Sequence, residues 1–318
     1  MSFLLRSSGP QGLLDQLSSS TTIIGAWSSC RSLKSSTYSA GAMKVRSNEA
    51  GTQTNIGFVG RLLNTAALIA VCVGGEKEGV IQWNDQSGNA NHLAPQSGAA
   101  DSVICSTTGT LSFPVTVTGG SSMPMVGFGP GNQAGSTGVA PSMITPIPMP
   151  VSFGAVAKHF ALVVYYDIKS GGAAFGEICA YRHTGDANSF STTTSAIHIQ
   201  RDNSTTSGIY TAAANSLHQA QSGTLAQNAL HMLGSLYNSA DTILYGDGSA
   251  GTGGAYTQTL GSGGSYSVGA ANQATTTDNW NGWIAELIIG TFSNSAAAFE
   301  AGDWTTMLNN TAAFYPVP

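Results

Sequence analysis

The feature that most constrains the fold is a continuous run of apolar and aromatic residues from Phe160 to Tyr166. Such a run, bounded by polar residues and too short for a typical helix, indicates a strand buried between two sheets. Further short apolar segments, separated by Gly, Asn and Asp, predict strands at 178–181, 196–199, 209–212, 230–237, 242–245, 265–268 and 283–289. Strands at this spacing predict an all-β sandwich.

The composition narrows the functional classes. Charged residues make up only 8% of the chain, but 42% of it is hydrophobic and it contains 5 Trp, 10 Tyr and 11 Phe, which argues against disorder. With 11 Lys and Arg and a net charge of −5, the chain lacks the basic patch that nucleic-acid binding needs. The longest apolar run, about residues 65–73, is too short to span a membrane. The start of the chain has one early charge, Arg6, and no apolar core, so no secretory signal is predicted.

The chain is divided into an N-terminal arm, residues 1–20, and a single sandwich domain, residues 21–318. Leu13, Leu14 and Leu17 share one helical face of the arm, which can dock on its own domain or on a partner subunit. Residues 96–150 are rich in Gly and Pro and predict a surface excursion or an edge meander. A short helix is predicted at about residues 64–70, capped by Asn64, and another at 297–309.

The cysteines and histidines show no metal-ligand spacing, so no cofactor is predicted. Four cysteines, none in a Cys-x-x-Cys pair, fit either buried thiols or two disulfides, and the sequence leaves both open: Cys30, Cys72, Cys105 and Cys179. The six histidines are scattered along the chain.

Three stretches together resemble a known family. They are residues 29–46, the Ile-Gly-Phe of residues 56–58, and a run whose hallmark residues are Trp83, Asp85, Gln86, Ser87, Gly88 and Asn89. Their order resembles the catalytic domain of the α-L-arabinofuranosidase B family, whose hallmark is close to Tyr-Asp-Gln-Ser-Gly-Asn-Gly. Residues 280–289 resemble the last strand of laminin-G-like domains. The resemblance implies a concanavalin A-like jelly-roll sandwich with short N- and C-terminal helices.

The resemblance also assigns catalytic positions, and the residues there differ from the family's. The family's nucleophile position falls on Asp202, one methylene shorter than the family's Glu, and Gln200 replaces the carboxylate that precedes it. The proton-donor position falls on Ala271, which has no proton to donate. Cys179 stands alone where the family has a cysteine pair. These departures predict a degenerate glycosidase fold that is not an enzyme.

The sequence also raises two possible binding roles, one for a calcium ion and one for a glycan. Asp85 and its polar neighbours offer oxygen ligands to calcium, but the same residues fit a self-bonded turn, and no metal site is predicted. Trp27, Trp280 and Asn203 are candidates for binding a glycan by ring stacking and amide hydrogen bonds.

Arabinofuranosidase-like domains that lack the family's sugar-binding trefoil resemble those of tailed-phage virions. We therefore predict a non-catalytic virion protein, a capsid decoration or tail-fibre component that assembles in the host cytoplasm. Its expected partners are other virion proteins and further copies of itself. One alternative is a lectin-like adhesin that binds a host-surface glycan, and a second is a glycoside hydrolase of arabinofuranosidase type.

Overall fold

A computed structural model describes residues 12–35, 41–47, 51–71, 78–105, 123–129, 133–134, 140–153, 158–167, 176–182, 197–201, 207–214, 219–226, 228–238, 241–255, 263–270 and 280–317. The strands are β1 (Thr21–Ser28), β2 (Met43–Ser47), β3 (Gln53–Ile56), β4 (Phe58–Val59), β5 (Leu62–Leu63), β6 (Glu78–Trp83), β7 (Ala94–Pro95), β8 (Asp101–Cys105), β9 (Val126–Phe128), β10 (Gln133–Ala134), β11 (Met143–Ile144), β12 (Lys158–Asp167), β13 (Gly176–Arg182), β14 (Ile197–Arg201), β15 (Ser207–Ala214), β16 (Gln219–Ala226), β17 (Leu230–Asn238), β18 (Asp241–Gly246), β19 (Ser249–Ala250), β20 (Gly254–Ala255), β21 (Ser265–Val268) and β22 (Gly282–Phe292). The helices are a 3₁₀ turn (Leu14–Gln16), α1 (Thr65–Val71), α2 (Ala296–Phe299), a π-helical turn (Glu300–Trp304) and α3 (Thr305–Phe314).

The strands form three main antiparallel sheets. The first has the order β1-β22-β12-β17-β18-β19, the second β16-β15-β14-β13-β21-β11-β7 and the third β10-β8-β6-β2-β3. All paired strands among the described residues run antiparallel, and the prediction of an all-β fold is confirmed.

The first sheet is centred on the segment that the sequence marks most clearly. Strand β12 lies between β17 and β22, and every residue from 159 to 165 is buried. Because both faces of a central strand are covered, its sequence is apolar throughout rather than alternating. Its bounds match the predicted strand to within two residues at each end.

The main core lies between the first and second sheets. It contains Leu287 and Val163 from the first sheet and Val268 and Tyr181 from the second. Trp27 of β1 stacks on Tyr266 of β21 with ring centroids 6.4 Å apart, which ties the two sheets together.

A second core covers the other face of the first sheet. Leu13 of the arm and Trp304 of the π-helical turn are both buried in it. A Cβ on Gly234 would lie 2.6 Å from the Trp304 ring, so the absence of a side chain there lets the indole pack on β17. The described part of the arm thus docks on its own domain.

Both predicted helices form. Helix α1 begins after Asn64, whose Oδ1 accepts a hydrogen bond from the amide of Ala67 at 3.0 Å, as predicted for a cap. Helix α2 has the same kind of cap at Ser295, and the helical segment after it continues to Phe314, five residues past the predicted end. None of the described helices combines the length and apolar character needed to cross a bilayer.

Residues 96–150, for which a surface excursion or an edge meander is predicted, contain short strands in their described parts, several of them at or near a sheet edge. Strands β8, β9 and β11 belong to the third, first and second sheets in turn, and Ile104, Met125 and Phe128 are fully buried. The prolines restrict this stretch to short strands, but the apolar residues between them still enter the core.

Candidate functional site

The Asp85 loop, residues 84–92, carries the most specific motif and is a saturated hydrogen-bond network. The Oδ1 of Asp85 accepts from the amides of Ala26 at 2.9 Å and Ser87 at 2.8 Å. Its Oδ2 accepts from the Ser87 hydroxyl at 2.7 Å and the Asn91 amide at 3.1 Å. Both carboxylate oxygens therefore face donors, an arrangement that repels a cation instead of coordinating it.

The other hallmark side chains fasten this loop to β1 and the segment after it. Gln86 accepts a hydrogen bond from the amide of Leu33 at 2.8 Å and donates to the carbonyls of Ser28 and Arg31. Asn89 donates to the carbonyl of Ile23 at 2.7 Å. Side chains of the loop thus satisfy backbone groups of β1 and of the segment after it, as a neighbouring strand would do. Only side chains with the right donors and acceptors can do this, which explains the specific residue types of the motif.

The candidate glycan-binding tryptophans are placed in the core. Trp27 and Trp280 both have 0% exposure, and the Trp27 indole donates to the carbonyl of Asn91 at 3.1 Å. A sugar stacks on an exposed aromatic face, so neither ring is available as a surface platform. Asn203, the third candidate, lies outside the described residues.

A second polar region lies at one end of the second sheet, where strands β14 and β21 both end. Both strands run antiparallel to β13, with Glu177 opposite Gln200 and Cys179 opposite Val268. Strands β14 and β21 are therefore parallel to each other and end on either side of the start of β13, about 10 Å apart. We call this region, residues 176–177, 200–201 and 269–270, the Glu177 edge.

The positions that the resemblance assigns to catalysis adjoin this edge. Asp202 comes directly after Arg201, the last residue of β14, and Ala271 comes directly after Ala270. Both residues lie outside the described part of the chain, and of Gln200 only the backbone is described. The described residues that precede these two positions, Arg201 and Ala270, lie at or just beyond the ends of strands that finish on the same side of one sheet.

Glu177 is a buried acidic residue of β13, the strand that lies between β14 and β21. It is 1% exposed, and its negative charge acts on two neighbouring groups. Burial, together with the charge of Glu177, raises the pKa of the Cys179 thiol to about 12. Burial, Cys179 and Glu177 likewise hold the pKa of Tyr266 well above its usual value. The carboxyl group of Glu177 is therefore close enough to Cys179 and Tyr266 for its charge to act on both.

Small residues give this edge its shape. A Cβ on Gly176 would lie 3.0 Å from the Cα of Trp280, so the start of β13 packs directly on that residue. The amide of Gly269 donates to the carbonyl of Ile178 at 2.9 Å, and the amide of Trp280 donates to the carbonyl of Gly269 at 3.1 Å. The chain after β21 is thus held against β13 by backbone hydrogen bonds.

A second buried acid, Glu286 of β22, has a different environment. Arg31 donates to its two oxygens at 2.8 and 2.7 Å, and the Tyr315 hydroxyl donates to one of them at 3.0 Å. Burial alone would lower the pKa of Arg31, but the carboxylate of Glu286 outweighs it and raises the pKa. The pair joins β22 to the end of the C-terminal helix, and both oxygens of Glu286 are already hydrogen-bonded within the protein.

No described group of three or more His, Cys, Asp or Glu side chains is arranged to hold a metal ion. His159 is fully buried against Tyr237, with ring centroids 4.1 Å apart, and burial lowers its pKa well below 6.5. Cys30 and Cys179 are free thiols in the core, as one of the two open interpretations proposed. Cys72 lies outside the described residues, and only the backbone of Cys105 is described.

Sequence comparison identifies no relative: the chain matches no protein-family model and no curated protein. Comparison of structures finds proteins with a similar fold. A mutant GH54 α-L-arabinofuranosidase soaked with 4-nitrophenyl α-L-arabinofuranoside matches with a TM-score of 0.66 and 17% identity, over 96% of this chain and 66% of that one. An arabinofuranosidase complexed with arabinofuranosyl-α-1,2-xylobiose matches with a TM-score of 0.61 and 15% identity, over 96% and 65%.

These matches define the fold class of the protein. It has the β-sandwich fold of the GH54 arabinofuranosidases, as the resemblance predicted, and it spans about 66% of the length of those chains.

The prediction that the chain is not an enzyme is overturned by the same comparison, because the structures that share its whole fold are glycoside hydrolases. That prediction rested on the residues at the family's catalytic positions, Asp202 and Ala271. It overlooked Glu177, whose isolated Gly-Glu before an apolar run gives no sequence signal of a site.

Proposed function

We propose that this chain hydrolyses a glycosidic bond and that the sugar binds at the Glu177 edge. The observation that carries the proposal is the convergence of β14 and β21 on a buried carboxylate, at the sheet end where the resemblance places both catalytic positions. An α-L-arabinofuranoside is the first substrate class to test, because the structures that share the fold were solved with such compounds.

Glycosidases of the two-carboxylate type need one acid and one nucleophile or base on either side of the scissile bond. In our proposal Asp202 attacks the anomeric carbon and forms a glycosyl ester, while Glu177 protonates the leaving oxygen in place of the missing acid at Ala271. Glu177 then removes a proton from water, which attacks the ester, releases the sugar and restores Asp202. Glu177 pairs with Gln200, which precedes Asp202 by two residues in the sequence.

The test compares two substrates that differ in leaving group. 4-Nitrophenolate leaves with little help from an acid, whereas an alkyl alcohol must be protonated. We expect Glu177→Gln to lose about 100-fold in kcat on methyl α-L-arabinofuranoside but much less on the 4-nitrophenyl substrate. Asp202→Asn should lose activity on both, and Asp241→Asn, at an exposed carboxylate on β18, on neither.

Sugar binding without release by the wild type would overturn hydrolysis and leave the glycan-binding alternative. Equal losses for Glu177→Gln on both substrates would remove its role as proton donor.

The virion location, the homo-oligomer and the virion partners remain proposals from the sequence. The structures that share the fold are arabinofuranosidases and give the virion role no support. Mass photometry of the purified chain tests the oligomer.

A further inference from the structure

Two polar side chains at one edge of the second sheet are buried without being satisfied. Gln96 is 4% exposed and Ser142 is 1% exposed. Within the described structure, the amide oxygen and nitrogen of Gln96 and the hydroxyl of Ser142 have no hydrogen-bond partner. Native proteins pair the large majority of buried polar side-chain atoms, so three such atoms on two adjacent residues call for an explanation.

Their position relates them to the Glu177 edge. Met143 lies opposite both Pro95 of β7 and Val268 of β21. One residue further toward the Glu177 edge, this register places Ser142 between Gln96 and Gly269. The backbone amide of Gln96 donates to the backbone carbonyl of Ser142 at 3.0 Å. With strands about 4.8 Å apart, Ser142 lies one strand spacing from Gly269 and Gln96 lies two. Both residues thus lie on the side of the Glu177 edge where β11 and β7 follow β21.

The chemistry of the two residues fits the same ligand. A carboxamide and a hydroxyl together offer donors and acceptors without charge, which is what sugar hydroxyl groups require. We propose that Gln96 and Ser142 form a subsite that binds hydroxyl groups of a neutral glycan at the Glu177 edge. The proposal rests on the proposed function, since it concerns the same site. It assigns specificity to this pair rather than catalysis.

The test uses two variants of the full chain that remove polar atoms with little change in shape, Gln96→Met and Ser142→Ala. Affinity for methyl α-L-arabinofuranoside is measured by calorimetry, and Tm is measured without sugar. We expect affinity to fall about tenfold for Gln96→Met, because its amide would contact the sugar, with Tm unchanged or higher. Gln86→Met is the matched control: its amide is fully bonded within the protein, so it should lower Tm.

Each other result is decisive. If Gln96→Met lowers Tm as Gln86→Met does, its amide has a partner inside the protein and the subsite is overturned. If both variants bind the sugar as the wild type does, an ordered water is the occupant of these atoms and the subsite is again overturned. Those two results leave the proposed function intact, whereas a wild type that neither binds nor hydrolyses any arabinofuranoside overturns both.

Discussion

The Asp85 loop and the Glu177 edge are both buried polar regions of the sandwich, but they differ in how their polar groups are satisfied. In the loop, each oxygen of Asp85 accepts two hydrogen bonds from the protein itself. Beside the edge, the side-chain carboxamide of Gln96 and the hydroxyl of Ser142 have no partner among the described residues. A region that satisfies itself stabilises the fold, and a region that does not is suited to binding a ligand.

The largest effect is expected in the self-satisfied region. Asp85→Ala leaves the amides of Ala26 and Asn91 buried without an acceptor and also removes the acceptor of the half-buried Ser87 amide, and we expect it to cost about 4 kcal/mol or more in the free energy of unfolding. Urea unfolding measures this. A loss below about 1 kcal/mol would show that the network is not what holds the loop to β1.

Glu286→Gln comes next, because it leaves the guanidinium of Arg31 buried with a neutral partner. We expect a loss of about 3 kcal/mol, measured in the same way. The matched control is Asp101→Asn, which breaks the ion pair with Arg46, a residue 27% exposed, and should cost about 1 kcal/mol. Equal losses at the two pairs would contradict the importance of burial.

A smaller, pH-dependent effect is expected where the arm docks. Partial burial would raise the pKa of Asp303, but hydrogen bonds from Ser18 and Thr21 outweigh it and lower the pKa below 3.8. The stability that Asp303 provides is therefore complete above its unfolded pKa and is lost as the pH falls through its folded pKa. Thermal unfolding should show Asp303→Asn about 2 °C less stable at pH 7, with the difference disappearing in acid. A difference that persists at low pH would contradict this origin.

The smallest effect concerns the buried thiols. Burial raises the pKa of both Cys30 and Cys179 to about 12, so neither forms a thiolate at neutral pH. In a chain carrying Cys72→Ser and Cys105→Ser, a thiol reagent should find no reactive group until the protein is unfolded. Reaction of the native protein would show that the core opens at one of these sites.

The two regions also differ in how far the sequence predicts them. The Asp85 loop has a specific motif because its side chains bond to nearby backbone, and local chemistry of this kind is visible in a sequence. The strands of the first sheet are visible for the same reason, since a buried central strand is apolar throughout. In contrast, β16 was not predicted, because its residues (Gln219–Ala226) are polar and small and carry no strand periodicity.

The Glu177 edge depends on strand order, which local patterns do not encode. Glu177 lies between β14 and β21 only because β13 is inserted between strands that come later in the chain. Gln96 reaches the same sheet through β11, across more than forty residues of sequence. These contacts arise from tertiary pairing and could not be read from residue types.

The most direct test of the contrast is amide hydrogen exchange with and without saturating methyl α-L-arabinofuranoside. We expect the sugar to increase protection at residues 96, 142, 176–178 and 268–270 and to leave exchange in the Asp85 loop unchanged. Unchanged exchange at the Glu177 edge, or protection confined to the Asp85 loop, would contradict it.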